Sequence, residues 1–237
     1  MDRKSLIVEK SNTKFRHEFK HSINKIDELA LSNRLGKLFK HDKHSDSTGT
    51  YRVSSLYFDT PYDKALKQKI HGVNEREKFR IRYYNDDLSF IMLEKKFKIG
   101  GISSKHKGKL DKKEVEMIIN GDIDFLLKKK KPIFLELYSK MKGQLLEPKT
   151  VVTYDRQAYV FEPGNVRITL DKNVRSGMRN VKDFLKPDLV HIKVNDELTI
   201  LEVKYDEFLP EIVRLAVALP NRRATANSKY AASRRYD

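Results

Sequence analysis

The sequence predicts an α+β fold: a closed antiparallel β-barrel with a charged lumen, flanked by amphipathic helices. Three observations predict it. The stretch Arg76 to Tyr84, REKFRIRYY, alternates with a period of two, placing Arg76, Lys78, Arg80 and Arg82 on one face and Phe79, Ile81 and Tyr83 on the other. At least five further stretches share the habit, so their charged faces together carry eleven cations (Arg16, Lys20, Arg76, Lys78, Arg80, Arg82, Lys96, Lys98, Arg156, Arg167 and Lys204) against four carboxylates (Glu18, Glu94, Asp171 and Glu202). Between these strands lie segments of helical spacing. A sandwich core would need the charged faces to be apolar. A barrel resolves the conflict, because charged side chains can line a wet lumen while the outward apolar faces are covered by helices.

In order along the chain, Lys14 to His21 alternates, with Arg16, Glu18 and Lys20 on one face and Phe15, His17 and Phe19 on the other. From Ser22, a candidate N-cap, to Lys40 the apolar residues Ile23, Ile26, Ala30, Leu31, Leu35, Leu38 and Phe39 form a helical stripe. HDKHSDSTG, His41 to Gly49, reads as a loop; two histidines without a third ligand make a poor metal site. Thr50 to Phe58 is a strand closed by Pro61, and Tyr62 to Ile70 a short helix ended by Gly72. The cationic strand turns at Asn85-Asp86-Asp87 and returns over Leu88 to Lys98, with Glu94, Lys96 and Lys98 opposite Ile91, Leu93 and Phe97.

Lys98 to Lys109, KIGGISSKHKGK, does not fit the phosphate-loop pattern and reads as a flexible basic turn. Asp111 and Glu114 have capping-box spacing, and Pro132 starts a further helix to about Met141, with Lys128 to Lys131 as a solvated linker. Thr150 to Val160, Val166 to Asp171 and Leu198 to Tyr205 are three more alternating strands, followed by an amphipathic helix over Glu207 to Leu219 and a polar tail.

The 237 residues carry 49 Lys and Arg against 33 Asp and Glu, a formal charge of +16, which calls for an acidic partner. No cysteine is present, so disulfides, thiolate zinc sites and thiol nucleophiles are excluded. No apolar run reaches the roughly 20 residues of a membrane span, and the N-terminus lacks the apolar region of a secretory signal, so a cytoplasmic protein forming one domain over residues 1–237 is expected. A lumen of formal charge +7 on the count above suits a chain of phosphates: arginine forks match phosphate oxygens, and the few carboxylates can hold a bridging divalent cation.

Several motifs occur together in order: Arg16-His17-Glu18-Phe19-Lys20, SLYFDT at Ser55 to Thr60, RxKxRxR at Arg76 to Arg82, LExK at Leu93 to Lys96, YDRxAY at Tyr154 to Tyr159, RxTxD at Arg167 to Asp171, LExK again at Leu201 to Lys204, and Ser228-Lys229-Tyr230. This series resembles the VTC domain, the polyphosphate polymerase domain of the vacuolar transporter chaperone complex, within the triphosphate tunnel metalloenzymes. The resemblance implies a closed tunnel barrel that, with Mn2+ or Mg2+, transfers the γ-phosphate of ATP to polyphosphate. It further implies that Lys20, Arg80, Arg82, Lys96, Arg156, Arg167 and Lys229 hold the triphosphate and that Glu202 binds the metal. Lys20, Arg80, Arg82, Lys96 and Lys229 are the candidate catalytic groups; Arg16, Arg76, Lys78, Lys98, Lys204 and Ser228 join Arg156 and Arg167 as candidate substrate contacts, and Glu18 is a second candidate metal ligand. The hydrolytic relatives open with Glu-x-Glu-x-Lys, where this chain has Arg16, which leans toward transfer over two-metal hydrolysis. An inorganic or nucleoside triphosphatase and a non-catalytic polyphosphate- or RNA-binding module stay as alternatives. Nucleic acid is not expected, because the aromatics mostly alternate away from the charged face. With no span in the chain, docking to a membrane partner is left open.

Overall fold

The computed structural model describes residues 16–99, 102–194, 198–220 and 228–235. Phe15, the Gly100-Gly101 pair of the basic segment and residues 221–227 of the tail lie outside the described residues. In chain order the elements are β1 (His17–Ile23), α1 (Lys25–Leu38), β2 (Lys40–His41), β3 (Thr50–Asp59), α2 (Lys64–Ile70), β4 (Arg76–Tyr84), β5 (Asp87–Ile99), β6 (Ile102–Leu110), α3 (Lys112–Asn120), α4 (Pro132–Gln144), β7 (Glu147–Phe161), β8 (Val166–Ser176), β9 (Ile192–Lys193), β10 (Thr199–Tyr205), α5 (Glu211–Ala216) and α6 (Lys229–Ser233). Among the described residues no helix is long and apolar enough to cross a membrane.

The strands form one antiparallel sheet in the order β1-β10-β8-β7-β3-β4-β5-β6, with the two-residue strands β2 and β9 beside β7 and β8. Directly opposed residues in an antiparallel ladder point to the same side. The register therefore extends one charged face across neighbouring strands: Glu18 faces Lys204, Lys20 faces Glu202, Glu202 faces Thr169, Asp171 faces Arg156, Arg156 faces Tyr51, Tyr57 faces Arg80 and Lys78 faces Lys96. The β4–β5 hairpin is tight because Asn85 and Asp86 both take positive φ, 50° and 58°, which suits the right-handed strand twist.

The closure expected from the sequence is not found as strand pairing. Within the described residues β1 and β6 are the free edges of the sheet. The sheet instead curls around its charged face, bringing Glu18 on β1 within 3.9 Å of Lys96 on β5, from the opposite end of the strand order. The flexible basic turn is also corrected. Most of it is strand β6, paired with β5 so that Met92 faces Lys109, Glu94 faces Lys107 and Lys96 faces Lys105. Three further lysines thus join the charged face.

The outward faces are apolar and covered. Phe79, Ile81, Tyr83, Ile91 and Leu93 pack under α3 and α4 through Val115, Ile118, Phe134 and Leu137. Gly108 on β6 permits this approach, since a Cβ there would overlap the Phe134 ring. Asp111 caps α3 through a reciprocal bond with Glu114, and Pro132 occupies the first turn of α4, as their spacing predicts. On the other side Ile168, Leu170, Leu201 and Val203 meet Leu31 and Leu35 of α1 and Val213 of α5. The α1 cap is Asn24, whose side chain accepts from the Asp27 amide, because Ser22 is still in β1. Of the predicted stripe Leu31, Leu35 and Phe39 are buried, while Ile26 and Leu38 are exposed. Only Glu211–Ala216 of the predicted last amphipathic helix is helical.

Candidate functional site

Three linked ion clusters occupy the charged face. The first spans β1 and β10. Lys20 Nζ lies 2.5 Å from Glu18 and 3.6 Å from Glu202, and Lys204 Nζ lies 2.5 Å from Glu202 and 3.4 Å from Glu18. Burial pushes the Glu202 carboxyl up, but Lys204, Lys20 and Arg156 outweigh it and hold the group down at about 2. Glu18 is lowered too, against burial and the Glu202 charge, by Lys204, Lys20 and Lys96.

The second cluster centres on Arg80. Its Nε and Nη2 donate to Glu94 at 2.8 and 2.7 Å, and its Nη1 donates to the Tyr57 hydroxyl at 3.2 Å. Lys105 from β6 reaches the same carboxylate at 2.5 Å. Beside them Arg82, buried, donates to Ser55 Oγ at 2.9 Å and to Tyr154 Oη at 3.2 Å. Although burial raises it, the Glu94 carboxyl lies well below the usual range because of Arg80, Arg82 and Lys105.

The third cluster joins β7, β8 and α6. Arg156 grips Asp171 with both prongs, at 2.6 and 2.8 Å. Lys229 Nζ reaches the same carboxylate at 2.5 Å and sits 4.7 Å above the Tyr154 ring. Asp171 is fully buried, which opposes its charge, yet Arg156 and Lys229 hold it well below the ordinary carboxylate range. The α6 helix is docked here because Tyr230 donates its hydroxyl to Asp59 and Arg234 bonds Asp63 at 2.9 Å. Asp59 also accepts the Ala65 and Leu66 amides at the start of α2. Ser228 caps α6 by accepting the Ala231 amide.

The structure thus brings Lys20, Arg80, Arg82, Lys96, Arg156, Lys204 and Lys229 onto one curled face with Glu18 and Glu202. Lys78 lies over the Tyr57 ring at 5.9 Å. Other predicted contacts sit toward the ends of the strands with partners of their own. Arg16 binds Asp206 at 2.8 Å and the Asn165 carbonyl. Arg167 binds Asp42 at 2.9 Å and Tyr51 at 2.7 Å. Arg76 donates to the Val73 carbonyl at 2.6 Å, and Lys98 lies opposite Arg76 in the ladder.

Sequence reasoning left out Tyr51, Tyr57 and Tyr154, which stand on the charged face and accept hydrogen bonds from Arg167, Arg80 and Arg82 respectively. The expectation that aromatics avoid this face is corrected to that extent. These rings are 2–4% exposed, so they orient arginines and offer no open stacking platform. Lys105 and Lys107 were missed as well. Their signal is alternation with Ser103 and Lys109 after the Gly100-Gly101 pair, the same period of two as in β4.

The donor set suits a divalent cation that shares its shell with substrate. Among the described residues no group of three or more His, Cys, Asp or Glu side chains gathers as a self-sufficient metal site. Glu18 and Glu202 offer hard, ionised oxygens beside the phosphate-matching cations, and one or two carboxylates with phosphate oxygens and water make up a typical Mg2+ shell.

The family model of the VTC domain matches residues 15–236. Among solved structures, the chain is similar to a protein of Bacillus halodurans provisionally described as an adenylate cyclase, at 14% identity, covering 86% of each chain with a TM-score of 0.47. It is similar as well to a Pyrococcus horikoshii protein (14% identity, 86% and 84% covered, TM-score 0.41) and to a conserved hypothetical protein of Pyrococcus furiosus (12% identity, 85% of each covered, TM-score 0.42). No curated protein matches the chain.

Proposed function

Since the chain belongs to the VTC domain family, we propose that it is a polyphosphate polymerase, moving the γ-phosphoryl group of ATP onto a growing phosphate chain held against its charged face. One observation carries the reading: Lys20, Arg80, Arg82, Lys96, Arg156 and Lys229, distant in sequence, converge on a single curled face, and the carboxylates among them are each matched to more than one cation. The guanidiniums are pre-oriented, Arg80 by Glu94 and Tyr57, Arg82 by Ser55 and Tyr154, so little reorganisation is needed when phosphate oxygens arrive.

Phosphoryl transfer asks for positioning and charge stabilisation, and no nucleophilic side chain. A terminal oxygen of the acceptor chain bonds to the γ-phosphorus as the bond to the β–γ bridging oxygen breaks, leaving ADP and a chain one phosphate longer. Arginine and lysine heads hold both reactants in line and offset the charge on the equatorial oxygens. Glu202 and Glu18 would hold Mn2+ or Mg2+, which supplies further neutralisation of the phosphates when bound. Lys229, on a docked helix and bonded to Asp171, would contact the terminal phosphate.

A triphosphatase is the second reading, favoured by the adjacency of Glu18 and Glu202, since paired carboxylates suit a metal that activates water. Incubation with ATP and Mn2+, followed by gel separation of polyphosphate from orthophosphate, tests the two. Polymer with ADP is the expected result; orthophosphate alone, with no chain longer than the substrate, replaces the polymerase by the triphosphatase.

A further inference from the structure

Tyr57 orients Arg80 in the reading above, and its surroundings give it a second task. It lies on β3 opposite Arg80 of β4 and Thr150 of β7, so its ring turns to the charged face. Arg80 Cζ and Lys78 Nζ each stand 5.9 Å from the ring centroid, and Arg82 follows on the same strand. Glu94 of β5 is engaged by the other edge of Arg80. On the remaining side the Tyr230 ring of α6 packs at 5.2 Å, its hydroxyl committed to Asp59. The Tyr57 oxygen accepts from Arg80, and among the described residues its own hydrogen meets no acceptor.

We propose that Tyr57 couples phosphate-chain binding to proton uptake, its phenol gaining a proton as the polyanion enters and donating it in a hydrogen bond to a phosphate oxygen. The proposal rests on the charged face being the phosphate site. A phenol ringed by cations is drawn toward phenolate, and a polyanion that neutralises those cations reverses the pull. Burial raises the Tyr57 hydroxyl, but Arg80, Lys78 and Arg82 outweigh it and bring it to about 7. Burial together with Arg80, Lys96 and Lys20 lowers the neighbouring Lys78 to about 8. Near neutral pH the pair therefore has a proton to exchange. A bound polyphosphate, whose internal phosphates carry no hydrogen at that pH, is the acceptor the phenol lacks.

Phenolate absorbs near 295 nm, which makes the test independent of turnover. The wild-type protein should show one tyrosine ionising with a midpoint near pH 7, absent from Tyr57→Phe, raised in Lys78→Met, and moved upward by saturating sodium tripolyphosphate. By calorimetry, the tripolyphosphate Kd should weaken between pH 6.5 and 8.5 about 25-fold more in the wild type than in Tyr57→Phe, as uptake of one proton with a free-state midpoint near 7 requires. No early-titrating tyrosine, or one that persists in Tyr57→Phe, overturns the proposal. So does tight tripolyphosphate binding with the same pH dependence in both proteins, which leaves the phosphate site intact. If tripolyphosphate does not bind the wild type at all, the phosphate site itself fails, and the coupling with it.

Discussion

Lys229 and Asp171, 58 residues apart in sequence, meet at 2.5 Å, and Arg156 grips the same carboxylate from the opposite strand. Asp171 is thus the buried anion that gathers two cations assigned to the phosphate chain. Its replacement by Asn removes the charge that offsets their repulsion, and breaking a buried pair from one side costs about 3 kcal/mol. Urea denaturation of Asp171→Asn should show a loss of that size. Tripolyphosphate should restore more stability to the variant than it adds to the wild type, because it supplies the missing anion.

Glu202 carries two expectations. In Glu202→Gln, Mn2+-dependent turnover should fall by about 100-fold while the shape of the site is kept, and retention of metal-dependent activity would remove Glu202 as a ligand. The second concerns acid. Its folded-state carboxyl titrates at about 2 against 4.5 ordinarily. A depressed carboxyl contributes stability that is fully present above its unfolded pKa and is lost as pH falls through the folded one. The contribution, about 3 kcal/mol, should therefore disappear between pH 4.5 and 2 in the wild type, and Glu202→Gln should lack that component of the slope.

Gly108 separates scaffold from site. It is buried on the outer side of β6, where an added methyl would meet Phe134 of α4. Gly108→Ala should destabilise the fold by about 2 kcal/mol through forced repacking of that contact. Its tripolyphosphate affinity, measured by calorimetry below the unfolding temperature, should stay within twofold of the wild type, since the lysines flanking it point to the other face.

Much of this was legible in the chain because charge alternation is a local signal. β4 falls on Arg76–Tyr84, the bounds its pattern predicts, and the hairpin, the α3 capping box and the Pro132 start follow from residues within a few positions of each other. β6 escaped because the alternate side of Ser103, Lys105, Lys107 and Lys109 holds Ser104, His106 and Gly108 instead of large apolar residues, so only half the pattern is visible. The partners of the arginines were not readable at all. Whether Arg80 meets Glu94 or Arg167 meets Asp42 is set by register and by a loop 125 residues away, and a count of charges on a face cannot distinguish a cation facing substrate from one already paired near a strand end. Arg16, bound by Asp206, shows the same limit.

The α6 helix allows chemistry and anchoring to be tested separately. Lys229 Nζ touches Asp171, whereas the helix is fastened by Tyr230 to Asp59 and by Arg234 to Asp63. In Lys229→Ala the fastening stays, and Asp171 keeps both bonds from Arg156, so stability should change by less than about 1 kcal/mol while turnover of ATP falls 100-fold or more, the loss of a charged contact made to the transferring phosphate. Tyr230→Phe does the converse. It keeps Lys229 but removes the phenolic donor to the buried Asp59 carboxylate, which retains the Ala65 and Leu66 amides, and loss of a hydrogen bond to a charged group costs about 2 kcal/mol. Its thermal midpoint should drop, and its turnover should fall less than that of Lys229→Ala at temperatures where it is folded. Equal losses of stability and of activity in the two variants would place Lys229 among the fasteners and move the phosphate contact to Arg156 alone.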